Sequence, residues 1–355
     1  MKNTEPFLSG PGGKPRIWFN TNLSNTAIVI RTIRESCAPG EEFFFVGSHT
    51  NPNAPISKVA DLFEVEPNGL GAAGYVDWCL DFVRRHKIDV FIPRNHLAAI
   101  AANSRRFQDE GVKLILPADA ETINLIKHKA YFYEFLGADL VPQPDYRLAG
   151  SLEAFKSGYA ELAAKHQRVC YKPPIGIGGR GFQIITTGGE KLFSEWDSEQ
   201  LSVDYDEAVE AFAKSETFPE LMLMQFVPGL ERSVDCLARD GKLLGCVVRL
   251  KSADGKDELL EENPLLVEYS RRVTAKAKLN GLYNVQFLEA DGEQYLLEVN
   301  SRMSGGTHYG ALSGVVFPYW AIRLALGTAQ ESDIPTPKTG IWVDRATRQI
   351  VTRRG

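Results

Sequence analysis

The stretch at residues 284–306 reads NVQFLEADGEQYLLEVNSRMSGG, and it predicts two antiparallel strands joined by a turn at Asp291-Gly292. Side chains alternate between the two faces of a strand, so Leu296, Glu298, Asn300 and Arg302 are expected on one face. A carboxylate and an amide oxygen at this spacing suit a hard cation such as Mg²⁺. An arginine beside them suits a phosphate held by that cation.

Gln286, on the preceding strand, joins this polar face only if an odd number of residues forms the connecting loop, since an even loop turns its side chain to the other face. A three-residue loop at 291–293 places Gln286 opposite Glu298. Taken alone, the segment reads more readily as the polar side of an ordinary half-buried hairpin. The upstream sequence decides between the two interpretations.

Length and composition are those of a soluble globular protein with two or three compact units. The chain has 355 residues and a net charge of -5, which argues against nucleic acid as the main partner. Its five cysteines are scattered, as expected in a reducing compartment. No apolar run approaches the roughly 20 residues of a membrane-spanning helix. We therefore expect a cytoplasmic protein with no membrane partner, and a flexible lead-in at 1–15.

Strands alternate with helices over residues 16–116, which predicts a parallel sheet covered by helices. A single helix is expected at 97–107. Ligands bind such sheets at the carboxyl ends of the strands. The candidate substrate contacts at these ends are Asn20, Gly47, His49, Arg94, Asn95 and His96. Each is equally well explained as a capping or loop residue, although Arg94-Asn95-His96 would suit an anionic substrate.

A glycine-rich loop, PPIGIGGRG at 173–181, lies between two predicted strands in the next part of the chain. Glycines let backbone N–H groups approach phosphate oxygens closely, and Lys172 precedes the loop. The pattern lacks the Gly-Lys-Ser or Gly-Lys-Thr of a P-loop. By itself it is a weak motif that also describes a flexible turn.

A strand at 221–226 ends in Pro228-Gly229, where free backbone groups can pair with the edge of a base. Glu231 can then accept hydrogen bonds from ribose hydroxyls. A hairpin follows, with its turn at Asp240-Gly241. On its second strand, Arg249 and Lys251 are candidate anion ligands, or members of a solvated strand face.

In this order the motifs resemble the ATP-grasp superfamily, and most closely its carbamoyl-phosphate synthase large-subunit branch, over residues 15–328. The resemblance implies an α/β fold with an N-terminal parallel-sheet domain, a small α+β lid domain and a C-terminal antiparallel-sheet domain. The corresponding boundaries are 16–118 for the first domain, 119–141 for connecting helices, 142–228 for the lid and 229–355 for the last.

The resemblance also implies roles for individual residues. The residues expected to bind the nucleotide are Lys129, Lys172, Gly178, Gly179, Gln225, Phe226, Val227 and Glu231. The expected metal ligands are Gln286, Glu298 and Asn300. Arg302 and Lys172 are expected to contact the transferring phosphoryl group. The chain departs from the family in having His128 before Lys129, where Asp is frequent, and Gln225 where Glu is common.

These roles imply an enzyme that uses ATP with Mg²⁺, or Mn²⁺ in its place, to convert a small carboxylate into an acylphosphate. An amine then displaces phosphate, and an amino acid or related acid is the expected carboxylate. Expected substrate contacts are Arg94, His96, Arg249, Ser304, Gly305, Gly306 and His308. The alternatives are a kinase-like or carboxyphosphate-forming enzyme and a regulatory nucleotide-binding module without turnover. Family habit makes a homodimer the expected assembly.

Overall fold

The N-terminal part of the chain forms a five-stranded parallel sheet. The computed structural model of the protein describes residues 13–176, 179–190, 201–252 and 257–344. The strands are β1 Arg16–Phe19, β2 Phe44–His49, β3 Leu62–Val65, β4 Val90–Ile92 and β5 Lys113–Leu114, in the order β3-β2-β1-β4-β5. Helices α1 Thr26–Ser36, α2 Ala72–His86, α3 Leu97–Ala102 and α4 Ser104–Asp109 accompany them. The single helix predicted at 97–107 is wrong, since Asn103 separates α3 from α4.

Strand β1 is buried on both faces, as a central parallel strand must be. The Trp18 ring stacks on Phe82 and Phe91 with centroid distances of 4.3 and 3.8 Å. This packing fixes β1 against α2 and β4. The carboxyl ends of the strands consequently form one rigid edge.

A second sheet follows two short helices, α5 Ala120–Lys127 and α6 Lys129–Leu136. Its strands are β6 Tyr146–Ala149, β7 Val169–Lys172, β8 Gln183–Thr186, β9 Ser202–Asp204 and β10 Leu221–Gln225, in the order β6-β10-β7-β8-β9. Only β8 and β9 pair in parallel. Helices α7 Leu152–Ala163 and α8 Tyr205–Ala213 pack through Phe155 and Ala208 into one apolar cluster with Leu223.

The third sheet is antiparallel throughout. Its strands are β11 Glu231–Arg239, β12 Lys242–Lys251, β13 Asp257–Glu261, β14 Gly281–Ala290, β15 Glu293–Asn300 and β16 Ile341–Asp344. They lie in the order β15-β14-β11-β12-β13-β16, with β15 and β16 at the two edges. Helices α9 Pro264–Lys276, α10 Thr307–Gly310 and α11 Phe317–Leu326 complete this part. Asp240 and Gly241 have φ of 50° and 79°, the left-handed backbone of the predicted tight turn.

The first and third sheets share an apolar core, in which Phe19 and Phe45 cluster with Leu237, Leu260 and residues of α11. This packing brings the carboxyl edge of the parallel sheet beside the β14–β15 hairpin. The predicted fold class is confirmed, whereas the domain boundaries stay predictions. In the described part of the chain, no helix is long and apolar enough to cross a membrane.

Candidate active site

The β14–β15 hairpin pairs Gln286 with Glu298, as predicted, but it reaches that register in a different way. The loop has two residues, Asp291 and Gly292, because Ala290 pairs with Glu293. Their φ values of 52° and 81° are those of a tight left-handed turn. The extra residue that restores the register is a β-bulge at Leu297, which has no partner on β14.

The bulge also corrects the predicted faces of the strand. Leu296 was expected beside Glu298, but it is fully buried in the core on the opposite side. Leu297 and Glu298 instead both line the cavity described below. Two successive side chains on one face are the usual consequence of a bulge.

Tyr133 on α6 holds this bulge. Its buried hydroxyl lies 2.6 Å from the carbonyl oxygen of Leu296 and 2.7 Å from that of Leu297. Burial, followed by the charge of Glu298, raises the pKa of Tyr133 well above its usual value, so the hydroxyl stays a donor. Sequence reasoning missed Tyr133, although it stands four residues after Lys129 and therefore on the same helix face.

We expect Tyr133→Phe to lower the free energy of unfolding by about 1–3 kcal/mol, because the carbonyl groups of Leu296 and Leu297 lose the hydroxyl donor that they share. Urea denaturation would measure the loss. Tyr131→Phe, on an exposed side chain of the same helix, is the matched control and should be neutral. Equal stability of the two variants would show that the bulge does not depend on Tyr133.

A chain of polar contacts runs along the cavity face of the hairpin. The Asn300 amide donates to Glu298 Oε1 at 3.0 Å and to Gln286 Oε1 at 3.4 Å. Gln286 Nε2 donates to Glu231 Oε1 at 2.7 Å, and Lys251 Nζ lies 2.5 Å from the same oxygen. Lys251, predicted as an anion ligand or surface residue, is thus the ion-pair partner of Glu231.

Asn300 Nδ2 lies within hydrogen-bonding distance of both Gln286 Oε1 and Glu298 Oε1, and a half-turn of the Asn300 amide would bring its oxygen to the same place. One carboxylate and two amide oxygens form a donor set that fits Mg²⁺, which takes one or two carboxylates and completes its shell with phosphate and water. Among the described residues, no group of three or more His, Cys, Asp and Glu side chains is placed to hold a metal ion.

Two lysines face this set. Lys129 Nζ lies 3.4 Å from Glu298 Oε2 and donates to the carbonyl oxygen of Gly176 at 3.2 Å. Burial and the nearby charge of Lys129 lower the pKa of Lys172 to about 8, although Glu298 opposes the shift. Two lysines that repel each other beside a single carboxylate form a ready site for a polyanion.

A cavity of about 670 Å³ lies between the second and third sheets. The glycine loop, the strand that ends at Gln225 and the polar face of the hairpin all line it. The predicted residues on its wall are Lys129, Lys172, Gly179, Gln225, Phe226, Val227, Glu231, Gln286, Glu298, Asn300 and Arg302. Gly179, with φ of 72°, adopts a backbone that favours glycine. Gly178 lies outside the described residues.

The predicted hinge at 225–227 has fewer free backbone groups than expected. The N–H groups of Gln225 and Phe226 already donate to Asp145 O and Arg168 O, at 2.8 and 3.0 Å. Within the described ranges, the Val227 N–H has no acceptor, and the Gln225 carbonyl is approached only by the Cys170 thiol at 3.9 Å. One donor and one acceptor, two residues apart, therefore remain for a base edge.

The structure divides the predicted substrate residues between two places. Ser304, Gly305 and Gly306 line the nucleotide-sized cavity, while Arg94 and His96 line a neighbouring cleft of about 550 Å³. His308 is part of neither lining, and burial lowers its pKa. Of the other strand-end candidates, Asn20 is fully buried and His49 Nδ1 accepts from the Asn51 N–H at 2.9 Å.

Gly47 is packed as well, because a Cβ on it would lie 2.9 Å from Ile56. Asn95 lines the same cleft as Arg94. The strand ends are thus partly structural, and Arg94, Asn95 and His96 are the candidates that face open space.

The predicted role of Arg249 as a direct anion ligand is not supported. Its guanidinium is 1% exposed and forms a 2.8 Å ion pair with Asp235 and a second ion pair with Glu258. It also donates to Ser304 Oγ at 2.8 Å. Since a Cβ on Gly306 would lie 2.3 Å from Arg249 Nη1, the loop at 304–306 rests directly on this arginine.

The chain is similar to several known proteins in sequence and in fold. The family model described as ATP-grasp in the biosynthetic pathway with Ter operon matches residues 217–349. The chain is similar to the carbamoyl phosphate synthase large chain of Archaeoglobus fulgidus, with 28% identity over 240 residues. This match covers 63% of the chain and 20% of that protein. The chain thus spans about a fifth of the length of the curated relatives it matches first.

Two solved structures show the same fold. An ADP complex of N5-carboxyaminoimidazole ribonucleotide synthetase superposes with a TM-score of 0.64 and 18% identity, covering 92% of this chain and 79% of that one. An L-amino acid ligase from Bacillus licheniformis gives a TM-score of 0.60 and 14% identity, covering 91% and 78%.

Proposed function

Because the chain carries an ATP-grasp domain, we propose that it is an ATP-dependent ligase that activates a carboxylate as an acylphosphate and joins it to an amine. One observation carries the proposal. Lys129, Glu298, Asn300 and Arg302 line both the larger cavity and the neighbouring cleft. A phosphoryl group can pass from a nucleotide on one side to a substrate on the other only at such a junction.

The cavity offers a complementary group to each part of ATP. The Gln225 carbonyl and the Val227 N–H face the adenine edge, and Glu231 accepts from the ribose hydroxyls. Lys172 and Lys129 lie toward the phosphates, and Gly179 lets the loop approach them. Lys251 and Gln286 hold Glu231 in place through the contacts described above.

Gln286, Glu298 and Asn300 would hold Mg²⁺, or Mn²⁺ in its place. The cation neutralises charge on the phosphate oxygens when bound. The residues of the chain do the remaining work. Lys129 and Lys172 compensate the charge that builds on the leaving side, and Arg302 orients the transferring group from the cleft side.

The reaction proceeds in two displacements. A carboxylate oxygen of the substrate attacks the γ-phosphorus, the bond from that phosphorus to the bridging oxygen breaks, and ADP leaves. The amine nitrogen then attacks the acyl carbon, and the bond from that carbon to the phosphate oxygen breaks. Inorganic phosphate leaves, and the attacking nitrogen loses a proton to solvent. The half-enclosed cavity limits water, which would hydrolyse the acylphosphate.

Nucleotide binding is expected to depend on the charge of Lys172. Because its pKa in the free protein is about 8, bound phosphates must restore the proton above that pH, and ATP affinity should fall by about tenfold per pH unit above 8. Lys172→Arg carries a fixed charge and should bind with little pH dependence between pH 7 and 9. Calorimetric titrations with Mg²⁺ and a non-hydrolysable ATP analogue would measure both. If ATP affinity depended on pH in the same way in both proteins, the assignment of Lys172 to the phosphate site would be refuted.

The proposed reaction is tested by incubating the protein with Mg²⁺, ATP, pooled small carboxylic acids and pooled amines, and by identifying the products. ADP and phosphate, released only with the pool, are expected, and splitting the pool then identifies the substrates. Release of AMP would overturn the acylphosphate route. ADP with a phosphorylated product and no amine requirement would instead indicate a kinase, and nucleotide binding without turnover in any pool would indicate a regulatory module.

A further inference from the structure

The cleft of about 550 Å³ beside the nucleotide cavity has cationic groups of its own. Arg94 and Lys127 line this cleft but not the larger cavity. Glu298, at the junction, is the only carboxylate on its described wall, and Lys129 already pairs with it. The wall that remains is positively charged.

Hydrogen bonds to the backbone of Arg94 and Asn95 fix the position of Arg94 in this cleft, whereas its guanidinium forms no ion pair among the described residues. Asn20, fully buried at the end of β1, accepts from the Arg94 N–H at 2.8 Å and donates to Asn95 O at 3.2 Å. Its amide also donates to the Tyr75 hydroxyl at 3.0 Å, which in turn donates to buried Glu66 at 2.8 Å. A buried polar network of this kind fixes the direction of the turn that carries Arg94.

The Arg94 guanidinium is left without a counter-charge. Among the residues that the structure describes, it has no ion pair and no hydrogen-bond acceptor, and its Nε is buried and unpartnered. Burial and the charge of Arg302 both lower the pKa of Arg94. Two half-buried arginines that repel each other are costly unless an anion lies between or beside them.

The junction already has enough cations for the reacting groups. Lys129, Lys172 and Arg302 face the phosphates and the carboxylate that attacks them. Arg94 lines the cleft but not the nucleotide cavity, whereas Arg302 lines both, and the cleft has room for much more than one carboxylate. The charge of Arg94 is therefore available to bind a part of the substrate other than the reacting carboxylate.

We propose that the carboxylic acid substrate carries a second anionic group, a carboxylate or a phosphate, which Arg94 binds in this cleft. The inference rests on the proposed function, since it assigns the non-reacting end of the same substrate. It predicts a dianionic substrate and argues against a simple neutral amino acid or monocarboxylic acid.

The test uses the full chain with Mg²⁺ and saturating non-hydrolysable ATP analogue, titrated with succinate, phosphonoacetate and butyrate. We expect at least one of the two dianions to bind about tenfold or more tightly than butyrate, because only the dianions can form a charged hydrogen-bonded contact with Arg94. The better of the two identifies the second group as carboxylate or phosphate. Arg94→Gln should remove the preference for the dianion.

The control variant is Arg105→Gln, which changes an exposed arginine of the same domain that pairs with Asp109 and should keep the preference. Equal binding of butyrate and the dianions, absence of dianion binding, or an unchanged preference in Arg94→Gln would each overturn the inference. Binding of the nucleotide analogue, measured in the same samples, reports separately on the proposed function. A protein that binds the nucleotide and shows no dianion preference refutes only the second anionic group.

Discussion

Glu298→Gln is expected to lower ATP turnover by about a thousandfold or more while leaving the fold intact. The side chain is the only carboxylate in the donor set with Gln286 and Asn300, and it is also the partner of Lys129 at 3.4 Å. Glutamine keeps the shape and an oxygen, but it removes the charge that attracts a divalent cation. Loss of one electrostatic contact at a transferring phosphoryl group commonly costs a factor of about 10²–10³, and loss of the metal costs more.

The measurement is the rate of ADP release with the substrate pool over a range of Mg²⁺ concentrations. Partial recovery at high Mg²⁺ would show that weakened metal binding causes the loss. The control, Glu293→Gln, lies at the exposed start of the same strand and should turn over normally. Unchanged activity in Glu298→Gln would refute the metal assignment.

Arg249→Met should destabilise the protein by about 3–5 kcal/mol, because it leaves Asp235 and Glu258 buried without their shared cation. The two carboxylates are 2% and 1% exposed, so water cannot compensate for the lost charge. Methionine fills a similar volume, and the loss therefore reports on electrostatics rather than on a cavity. Urea denaturation followed by circular dichroism would measure the change in the unfolding midpoint.

Arg271→Met is the matched control for that variant, since Arg271 is exposed and pairs with Glu268 on the surface of α9. Its unfolding midpoint should stay close to that of the original protein. Asp235→Asn combined with Glu258→Gln in the Arg249→Met background should recover part of the lost stability. If the triple variant recovers no stability, Arg249 stabilises the site mainly through Ser304 and the loop at 304–306.

Local patterns were sufficient to predict that Gln286 pairs with Glu298 and that a tight turn lies at Asp240-Gly241, whereas the fold class followed from the resemblance to a known family. Asp240-Gly241 and Asp291-Gly292 are turn sequences with a clear backbone requirement, and the alternation around Glu298 identifies the polar face. The bulge at Leu297 could not be predicted, because its stabilising partner, Tyr133, is more than 160 residues away. A tyrosine hydroxyl that donates a hydrogen bond to a carbonyl group far away in the sequence cannot be recognised from local sequence patterns, apart from its position on one face of a helix.

The role of Arg249 was also beyond sequence reasoning. An arginine on an alternating strand is equally compatible with an anion site and with a buried ion pair. Only the third strand, β13, which the sequence did not predict, brings Glu258 beside it. Likewise the division of the predicted substrate residues between two spaces follows from how the first and third sheets pack, which no local pattern encodes.

Because of the bulge, the hairpin can lose one residue from the bulged strand and keep the pairing of Gln286 with Glu298. Four cross-strand pairs, the two-residue turn and Leu297 account for all residues between Gln286 and Glu298. In a regular hairpin, the deletion of one residue would slip the register and carry the acid to the core side. Here the bulged residue can be drawn into the ladder instead, so deletion of one residue from 293–297 can leave Gln286 opposite Glu298. Related chains can therefore differ by one residue in this strand and still place the same acid opposite Gln286.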